Sequence, residues 1–302
     1  MKQGRAVLIG EPNVGKSSLV NKIVGEHVSI VTDIPGTTRE EILGIKNGPL
    51  DPGTNLPLYR IIFLDTPGMH KTRTGLDKYM NKSISHALAS ADVILYVLDS
   101  TDMRSEYLEK VKNYENVGKP LILVINKTDL VNYQLLYPKL AELGSLSFVR
   151  AIVPTSCKKG FNLDILENEI VKYMPNAVET VEEIFPDEYT NQTVRKMSEE
   201  IIRAAIIARM QREIPHGIAV TITKWAEEKR EIEIHAEIYC ERESHKPIII
   251  GKGGKVLKEA GTEARKQIQK ITGRHIRLFT RVLVRPDWRN KQSILEALGY
   301  KL

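Results

Sequence analysis

A glycine-rich loop near the start of the chain has the composition of a phosphate-binding site. It reads Gly-Glu-Pro-Asn-Val-Gly-Lys-Ser and fits the pattern G-x-x-x-x-G-K-S. Its two glycines let the backbone turn tightly, so that successive N–H groups point at one anion. Lys16 can reach the β- and γ-phosphates of a nucleotide, and the Ser17 hydroxyl can bind Mg²⁺. The residues expected to hold the phosphates are Gly10, Glu11, Pro12, Asn13, Val14, Gly15, Lys16, Ser17 and Ser18.

A second segment, Asp65-Thr66-Pro67-Gly68, follows a short apolar run. An aspartate at the end of a buried strand can complete the ligand shell of Mg²⁺, which prefers oxygen ligands. The backbone N–H of Gly68 can meet a γ-phosphate. We therefore expect Asp65, Thr66, Pro67 and Gly68 to lie beside the phosphate-binding loop, with Ser17 and Asp65 as metal ligands.

Two further segments, each after an apolar run, have the chemistry to recognise a base. Asn126-Lys127-Thr128-Asp129 contains a carboxylate whose two oxygens suit the N1–H and 2-amino group of guanine. Adenine lacks that pair of donors, and sites of this kind reject the wrong base by about 10⁴-fold or more. Thr155-Ser156-Cys157-Lys158 can offer a backbone N–H to guanine O6. The expected base-binding residues are Asn126, Lys127, Asp129, Ser156, Cys157 and Lys158.

Apolar strands that alternate with helices bring these segments to one edge of a sheet. We expect strands over residues 5–9, 40–46, 58–65, 92–98, 120–125 and 148–154, and helices over 16–24, 76–88, 103–117, 133–143 and 163–174. This alternation predicts an α/β domain over residues 1–174, with a mostly parallel sheet covered by helices on both faces. Ligands bind such sheets at the carboxyl ends of the strands. Residues 48–57 form a proline-rich loop to which we assign no role.

Composition limits the class of protein. A chain of 302 residues with 42% hydrophobic and 27% charged residues has room for two domains of ordinary size. Two cysteines and scattered histidines argue against a disulfide framework and against a zinc site, and indicate a reducing cytosol. We expect no signal peptide and no transmembrane segment.

The chain changes character after residue 174. Residues 175–190 are rich in acids and prolines and are predicted to be a linker. A helix over 193–214 and strands over 216–225 and 231–240 follow, the second with strict alternation of apolar and polar residues. A short helix over 244–250, which admits Pro247 only in its first turn, leads to Gly251-Lys252-Gly253-Gly254. A helix over 255–272, a strand over 275–284 and a tail helix over 291–298 complete a predicted α+β domain over 191–302.

Basic residues concentrate in this second part of the chain. Residues 245–291 contain 13 Lys and Arg against three Asp and Glu, which indicates a polyanionic partner. The order of elements around the G-x-x-G loop is that of a KH domain of the second type, whose loop clamps about four nucleotides of single-stranded RNA. Trp288 either packs against the tail helix or, as the family resemblance given below implies, stacks on a base. The expected RNA-binding residues are Gly251, Lys252, Gly253, Gly254, Lys255, Lys258, Arg281, Arg285 and Trp288.

The two halves together resemble the Era family of GTPases. The resemblance covers nearly the whole chain and rests on the loop Gly10 to Ser17 with its continuation to Asn21, on Pro35-Gly36-Thr37-Thr38-Arg39, and on Asp65-Thr66-Pro67-Gly68-Met69-His70. It implies a P-loop GTPase domain followed by a smaller KH domain. Glu11, Ser18 and Cys157 depart from the residues commonest in that family.

The resemblance also implies roles for individual residues. Thr38 is similar to the threonine that binds Mg²⁺ in the GTP-bound state, and Asn13 to an asparagine associated with a K⁺ ion that assists hydrolysis. The residues expected to act in hydrolysis are Asn13, Lys16, Thr38 and Gly68. Met69 stands close to where Ras-type GTPases place a catalytic glutamine, and methionine cannot orient water, so another group must do so.

As a function, the resemblance implies a slow GTPase that uses GTP, GDP, Mg²⁺ and K⁺ and binds the 3′ end of 16S ribosomal RNA during maturation of the small (30S) ribosomal subunit. We expect a cytoplasmic monomer, with peripheral association at the inner membrane as an open question. Two alternatives differ in class. One is an RNA-binding module whose G domain only senses nucleotide. The other is a membrane-associated signalling GTPase, which the lack of a basic amphipathic helix with bulky aromatic residues disfavours.

Overall fold

The computed structural model describes residues 1–31, 38–68, 72–103, 106–177, 189–190, 192–210 and 214–300. The chain folds into two compact units, the first formed mainly from residues before 192 and the second mainly from Gln192–Leu302. Each unit has its own hydrophobic core. The two are therefore described separately.

The first unit is an alternation of strands and helices. Its strands are β1 (Lys2–Ile9), β2 (Ile42–Asn47), β3 (Tyr59–Asp65), β4 (Val93–Asp99), β5 (Leu121–Asn126) and β6 (Val149–Pro154). Its helices are α1 (Lys16–Val24), α2 (Gly75–Ser90), α3 (Tyr107–Lys112), α4 (Tyr133–Gly144) and α5 (Leu163–Lys172). In the described part of the chain these strands form one sheet in the order β2-β3-β1-β4-β5-β6.

The sheet is parallel except at one edge. β1 pairs in parallel with β3 and β4, and β5 continues the parallel series to β6. β2 runs antiparallel to β3, because only the loop over residues 48–57 joins them. The expected mostly parallel sheet is confirmed, and its parallel strands end at the same edge, where the four chemical segments begin.

Helices cover both faces of this sheet. Buried side chains of α1 and α5, such as Leu19 and Ile170, pack against one face, and side chains of α2, α3 and α4, such as Ala87 and Val111, pack against the other. Every residue of β5 is buried. Central strands enclosed on both faces read as continuous apolar runs, which is why the sequence predicts β3, β4 and β5 within one residue at each end. β1 begins at Lys2, three residues before its predicted start.

Helix α3 is shorter than the prediction over residues 103–117. It ends at Lys112, and the backbone N–H of Tyr114 donates to the carbonyl of Val111 in a tighter turn. Gly118 then adopts a φ of 69°, which ends any helical path. Apolar spacing continues through the turns because Val117 still packs on the core. The apolar spacing over residues 113–117 therefore reflects burial of side chains and does not indicate a helix.

The second unit contains α6 (Val194–Ile207), β7 (Ala219–Glu227), β8 (Glu231–Cys240), α7 (His245–Ile250), α8 (Lys255–Thr272), β9 (His275–Val284) and α9 (Gln292–Ala297). Its sheet has the order β7-β8-β9, with β7 antiparallel to β8 and β8 parallel to β9. Helix α6 packs against β7, and α7 and α8 pack against β9. Alternate residues of β8 are buried, as its period of two predicts.

Two predictions for this unit are wrong at their boundaries. Helix α6 ends at Ile207, well before residue 214, and closes with 3₁₀-type bonds from the N–H of Arg209 and of Met210. Strand β7 begins at Ala219 because a 3₁₀ turn over Ile214–Gly217 comes before it. Pro215 within that turn cannot donate to a strand ladder. Pro247 lies in the first turn of α7, as required.

Some expectations lie outside the described residues. These are the segment 35–37, Met69 and His70, and most of the predicted linker, residues 178–188. The domain boundaries at 174 and 191 therefore stay a prediction. None of the helices in the described ranges combines the length and the apolar composition that a membrane crossing requires.

Candidate nucleotide and RNA sites

The phosphate-binding loop connects the end of β1 to the start of α1. Gly15 has a φ of 100°, in the left-handed region that favours glycine, and a Cβ on it would lie 2.2 Å from Asn126 Nδ2. Asn13 is exposed and also left-handed, with a φ of 63°, which asparagine tolerates better than most residues. Helix α1 begins directly at Lys16. The backbone N–H groups of its first turn therefore face the position expected for an anion.

Lys16 is almost fully buried within this loop. Its Nζ donates to the carbonyl oxygens of Gly10, at 3.1 Å, and Glu11, at 2.9 Å. Burial lowers the pKa of Lys16 to about 8, although the negative charges of Asp65 and Glu11 act in the opposite direction. A buried cation that donates to neutral carbonyl groups would be stabilised further by the negative charge of a phosphate.

Three side-chain oxygens converge where the sequence predicts Mg²⁺. Ser17 Oγ donates to Asp65 Oδ2 at 2.6 Å and lies 3.1 Å from Thr38 Oγ1. Asp65 is fully buried, and its Oδ1 has no hydrogen-bond partner among the described residues. Burial raises the pKa of Asp65, while the Ser17 hydrogen bond and the Lys16 charge oppose this. A buried carboxylate oxygen without a partner, beside two hydroxyls, fits a hard divalent cation.

Gly68 brings the end of β3 against the phosphate-binding loop. A Cβ on Gly68 would lie 2.8 Å from the backbone nitrogen of Pro12. Thr66 fixes this approach, because its buried hydroxyl donates to the carbonyl of Leu8 at 2.6 Å. Residues 65–68 therefore lie beside the phosphate-binding loop, as the sequence predicts.

The residues that the sequence predicts to bind the base meet between the ends of β5 and β6. Ser156 Oγ donates to Asp129 Oδ1 at 2.5 Å, which lowers the pKa of Asp129 and keeps it an ionised acceptor. Asn126 Oδ1 accepts from the backbone N–H of Cys157 at 3.3 Å. Asp129 is exposed, whereas Ser156 is buried. A fixed serine thus orients a carboxylate that is open to a ligand.

Asn126 connects the base end of the site to the phosphate end. Its Nδ2 donates to the carbonyl of Val14 at 2.9 Å, within the phosphate-binding loop. Lys127, which has a left-handed φ of 63°, forms an ion pair of 2.6 Å with Asp99. Asp99 is absent from the predicted site, although its position at the end of β4 is the signal that could have found it. The four segments that the sequence predicts as one site are brought together.

Cys157 carries no reactive thiolate. Burial raises the pKa of its thiol to about 11, so the thiol stays protonated at neutral pH. Its backbone N–H donates to Asn126 Oδ1 in this structure, and the contact of a backbone N–H of this segment with guanine O6 stays a prediction. Lys158 lies next to it and is exposed.

The G-x-x-G loop of the second unit joins α7 to α8. Gly251 has a φ of 76°, and a Cβ on it would lie 2.5 Å from Val256 Cγ2, so no other residue fits there. Gly253 and Gly254 are also left-handed but face open space. Lys252, Lys255 and Lys258 are all exposed. The loop can therefore be approached closely by a ligand backbone, and three cations surround it.

Two of the predicted RNA-binding arginines belong to another surface. Arg281 is exposed on the side of β9 opposite to Ile276 and Val282, which face the helices. Arg285 follows β9 and is exposed too, 5.5 Å above the ring of Tyr239. The G-x-x-G loop is part of the helical layer. The structure thus divides the predicted residues into two groups.

Trp288 cannot stack on a base in this structure, which corrects its inclusion among the RNA-binding residues. The residue is 0% exposed, and its Nε1 donates to the carbonyl of Gly217 at 2.9 Å. An indole that is fully buried leaves neither face to a ligand. Of the two roles that the sequence left open, packing is the one that the structure has.

Comparison with known proteins agrees with both parts of this description. Residues 5–127 match a protein-family model described as 50S ribosome-binding GTPase, and residues 213–289 match one described as KH domain. A protein called GTPase Era from Alkaliphilus metalliredigens is 37% identical, with 99% of each chain covered. GTPase Era from Caldicellulosiruptor saccharolyticus is 38% identical over 100% of this chain and 98% of its own.

Two solved structures are similar over the full length of both chains. One is Era in complex with MgGDPNP and nucleotides 1506–1542 of 16S ribosomal RNA, at 37% identity with a TM-score of 0.91. The other is a variant of Aquifex aeolicus Era bound to GDP·AlF4⁻, also at 37% identity and 0.91. Each covers 100% of this chain.

Proposed function

This chain belongs to the Era family of GTPases, and from that premise we propose that it binds and hydrolyses GTP and, with GTP bound, binds the 3′ end of 16S ribosomal RNA to assist maturation of the small ribosomal subunit. The observation that supports this most strongly is the likeness over 100% of both chains to Era in complex with MgGDPNP and 16S nucleotides. That likeness includes the G domain and the KH domain in one chain.

The description of the matching family refers to the 50S subunit, whereas the RNA in the related complex is 16S, which belongs to the small subunit. The family match ends at residue 127, and the likeness to Era extends to the whole chain. The longer and more specific likeness supports the small subunit as the target. The expected RNA site lies within residues 213–289, which match the KH domain model and lie outside the match to the GTPase model.

GTP fits the first unit because its groups meet complementary partners. The phosphates take the place of the two carbonyl groups that now accept from Lys16 Nζ, which gives a buried cation an anionic partner. Ser17, Thr38 and Asp65 would hold Mg²⁺, which, when bound, neutralises charge on the phosphate oxygens. Gly68 presents its N–H near the end of the phosphate chain. The chain's own contribution is thus positioning and electrostatic stabilisation.

The base is selected by the pair formed by Ser156 and Asp129. The serine hydroxyl donates to one carboxylate oxygen, which fixes the orientation of the carboxylate before the base arrives. Guanine donates from N1 and from its 2-amino group to that carboxylate. We expect a backbone N–H of the segment after Thr155 to donate to guanine O6, although in this structure that of Ser156 donates to the carbonyl of Phe161 and that of Cys157 to Asn126 Oδ1.

Asn13 is the proposed position for K⁺ assistance. It is exposed at the outer turn of the phosphate-binding loop, where charge develops during hydrolysis. The family resemblance, and not the local geometry, suggests the ion. With Lys16, Thr38 and Gly68, Asn13 completes the proposed catalytic set. Met69 lies outside the described residues, and its expected inability to orient water stays a prediction.

RNA binding is placed at the G-x-x-G loop. Its glycines allow close approach, and Lys252, Lys255 and Lys258 can meet phosphates of a single strand. We further propose a cytoplasmic monomer that acts on the 30S subunit. Peripheral contact with the inner membrane is a secondary proposal, to be tested by cosedimentation with anionic vesicles.

One set of measurements tests the proposal. Wild-type protein and a variant with Lys252→Asp and Gly253→Asp are titrated with a single-stranded oligonucleotide of the 16S 3′ end, and GTP hydrolysis is measured for both. We expect the variant to lose RNA binding through repulsion of phosphates while its GTP affinity is unchanged. Gly253 has open space around it and a left-handed backbone, which aspartate tolerates, so the fold should survive.

A variant with a single substitution serves as the matched control for the effect of charge on RNA binding. Lys255→Ala removes one exposed cation and should reduce the slope of log affinity against log salt by about 0.7 without changing RNA preference. Wild-type affinity for a double variant shown to be folded by circular dichroism would place the RNA site elsewhere. Absence of hydrolysis by the wild type in the presence of Mg²⁺ would contradict the GTPase proposal itself.

A further inference from the structure

Strands β8 and β9 expose one face of their sheet that is opposite to the helices. The side chains on this face come from alternate residues of each strand, in neighbouring register pairs. They are Glu231, Glu233, His235, Glu237, Tyr239, His275, Arg277, Phe279, Arg281 and Leu283, and we call this set, together with Arg285, the open face. The sequence predicts RNA contacts for two of its arginines, Arg281 and Arg285, but the proposed function uses only the G-x-x-G loop.

We propose that the open face is a second binding surface for single-stranded RNA, distinct from the G-x-x-G loop, on which bases stack on aromatic rings and arginines contact phosphates. This inference rests on the proposed RNA-binding function. The open face would bind nucleotides of the same RNA that lie beyond those held by the G-x-x-G loop.

An aromatic platform lies at the centre of the face. Phe279 is 45% exposed, and its ring centroid lies 4.8 Å from that of His235, the residue opposite it in the register. The guanidinium carbon of Arg277 lies 5.5 Å from the Phe279 centroid. An exposed ring supported from the side by a second ring offers a base a flat and prearranged surface. Bases stack on such rings with little dependence on sequence, because each base has a π-face.

A second platform lies farther along the strands. Arg285 is positioned over Tyr239, with 5.5 Å between the guanidinium carbon and the ring centroid. Arg281 lies between the two platforms and is exposed. Side chains two residues apart on a strand are separated by about 6.5 Å. On β9 the outward side chains of Arg277, Phe279, Arg281 and Leu283 follow one another in one line, and Tyr239 lies opposite Leu283 on β8. Aromatic rings and basic groups are therefore neighbours on this face, as a stacked single strand requires.

Charge distinguishes the two ends of this face. At the start of the strands, Glu231 and Glu233 form ion pairs with Arg277, at 3.1 and 3.5 Å. Glu233 also pairs with Lys224 at 2.6 Å, so this end is neutralised internally.

At the other end, the acid of the face is Glu237, which is opposite Arg281 in the register and accepts from the Tyr239 hydroxyl at 3.2 Å. Arg281 and Arg285 leave a net positive charge there. That end suits a polyanion better than it suits an acidic or neutral copy of the same surface.

The open face is continuous with the loop site through β9. This strand is at the edge of the three-stranded sheet in the described structure, and α7 and α8, which flank the G-x-x-G loop, pack against its inner side. An RNA strand that leaves the loop can pass the exposed backbone edge of β9 and reach Arg281 and Phe279. Two linked contacts on one RNA increase affinity without a change in either contact.

The test uses RNA length, because the loop clamps about four nucleotides. Affinities for an oligonucleotide of about that length and for one five times longer, both from the 16S 3′ end, are measured for wild type, Phe279→Ala, Arg281→Ala and the Lys252→Asp, Gly253→Asp double variant. We expect Phe279→Ala to bind the short RNA as wild type does and the long RNA about 5- to 100-fold more weakly, the range for loss of one stacked base. The double variant should lose the short RNA.

Two variants control this experiment. Phe279→Trp should restore binding of the long RNA, and its added fluorescence should be quenched by the long RNA and not by the short one. Tyr137→Ala removes a ring that is 72% exposed on α4, in the first unit, and should change neither affinity. Sedimentation of Phe279→Ala is compared with that of wild type.

The outcomes separate the two proposals. Equal affinity of wild type and Phe279→Ala for the long RNA overturns this inference and leaves the loop site in place. A wild type that binds neither RNA contradicts the proposed function, and this inference with it. If Phe279→Ala changes self-association and not RNA affinity, the open face is an interface between copies of the chain, and the inference is wrong.

Discussion

At the scale of single residues, one hydroxyl orients the carboxylate that we propose selects the base. Asp129 accepts from Ser156 at 2.5 Å and is itself exposed. Asp129 Oδ1 accepts from the serine hydroxyl, and because each carboxylate oxygen has two lone pairs, both oxygens can still accept from a ligand. The identity of this residue should therefore decide which base is bound.

Asp129→Asn replaces an acceptor oxygen by an NH₂ donor. The variant should bind GTP about 10- to 100-fold more weakly, the effect of losing a hydrogen bond to a charged group. It should gain affinity for XTP, because xanthine has a carbonyl where guanine has its 2-amino group. Competitive titration with both nucleotides measures the exchange. Unchanged GTP affinity in the variant would show that another residue reads the base.

Lys16 predicts a pH dependence of nucleotide binding. Burial lowers the pKa of Lys16 to about 8 in the free protein, well below the ordinary range of a lysine. Phosphates favour the charged form, so the complex holds a proton that the free protein loses as the pH rises through about 8. Affinity should then decrease by up to about tenfold per pH unit above that value, since one proton is linked to binding.

Titration of a fluorescent GDP analogue between about pH 7 and about pH 9.5 checks this, with Lys16→Arg as the control. Arginine stays charged throughout this range. The variant should bind more weakly at every pH but without the added slope, and ionisation of the base affects both proteins equally. Identical slopes for the two proteins would refute the role of Lys16 titration.

Asn13 predicts a dependence of hydrolysis on the monovalent cation. Asn13→Ala should leave GTP affinity nearly intact and reduce the ratio of the rates in K⁺ and in Na⁺ to one. Because the residue is left-handed, alanine adds backbone strain, and Asn13→Gly serves as the control that lacks both the amide and the strain. Both variants should behave alike. Equal wild-type rates in the two salts would exclude the K⁺ mechanism.

At the scale of elements, strand ends and helix starts do most of the positioning. Lys16 is the first residue of α1, Asp65 the last of β3 and Asn126 the last of β5. Parallel strands place all of these at one edge of the sheet. In the second unit, β9 contributes side chains to the open face on one side and packs on the other against α7 and α8, which flank the G-x-x-G loop.

The segment after β9 is held by Trp288, which predicts an effect on stability. Trp288→Ala should lower the free energy of unfolding of the second unit by about 3–5 kcal/mol, as for other buried aromatic residues. Trp288→Phe keeps most of the volume but leaves the Gly217 carbonyl without its donor, which should cost about 1–3 kcal/mol. Urea unfolding followed by circular dichroism measures both. A Trp288→Phe protein of wild-type stability and reduced RNA affinity would return Trp288 to the RNA site.

At the scale of the whole molecule, the two functions share one chain, and their coupling can be measured. If the GTP-bound state favours RNA, then RNA must favour GTP over GDP by the same factor. RNA affinity should be about 5- to 150-fold higher with a non-hydrolysable GTP analogue than with GDP, the usual range of such coupling.

Single-turnover hydrolysis with and without the 16S oligonucleotide provides the second measurement, with the Lys252→Asp, Gly253→Asp variant as the control. RNA should change the rate of the wild type and leave that of the variant unaffected. A chain in which neither nucleotide nor RNA affects the other would be an RNA-binding module with an independent G domain, which is the alternative that the sequence left open.

Much of this protein is determined by its sequence. The phosphate-binding loop, the three segments at strand ends and the G-x-x-G loop are local patterns, in which residue type and spacing fix the chemistry. The sequence predicts β8 with its observed bounds because apolar and polar residues alternate strictly along it. It predicts α8 with its observed bounds because a glycine stands at each end of the helix. The early end of α6 was missed because 3₁₀ bonds at a helix end leave no clear pattern.

Only the tertiary structure decided which distant groups meet. Lys127 pairs with Asp99, and Asn126 donates to the carbonyl of Val14. Asp65 Oδ1 has no hydrogen-bond partner among the described residues. These features depend on strands that are far apart in sequence. Local patterns cannot show whether a side chain is buried by residues elsewhere in the chain. For that reason the sequence left Trp288 with two roles and grouped Arg281 with the G-x-x-G loop, whereas packing buried the first and placed the second on the opposite face of the sheet.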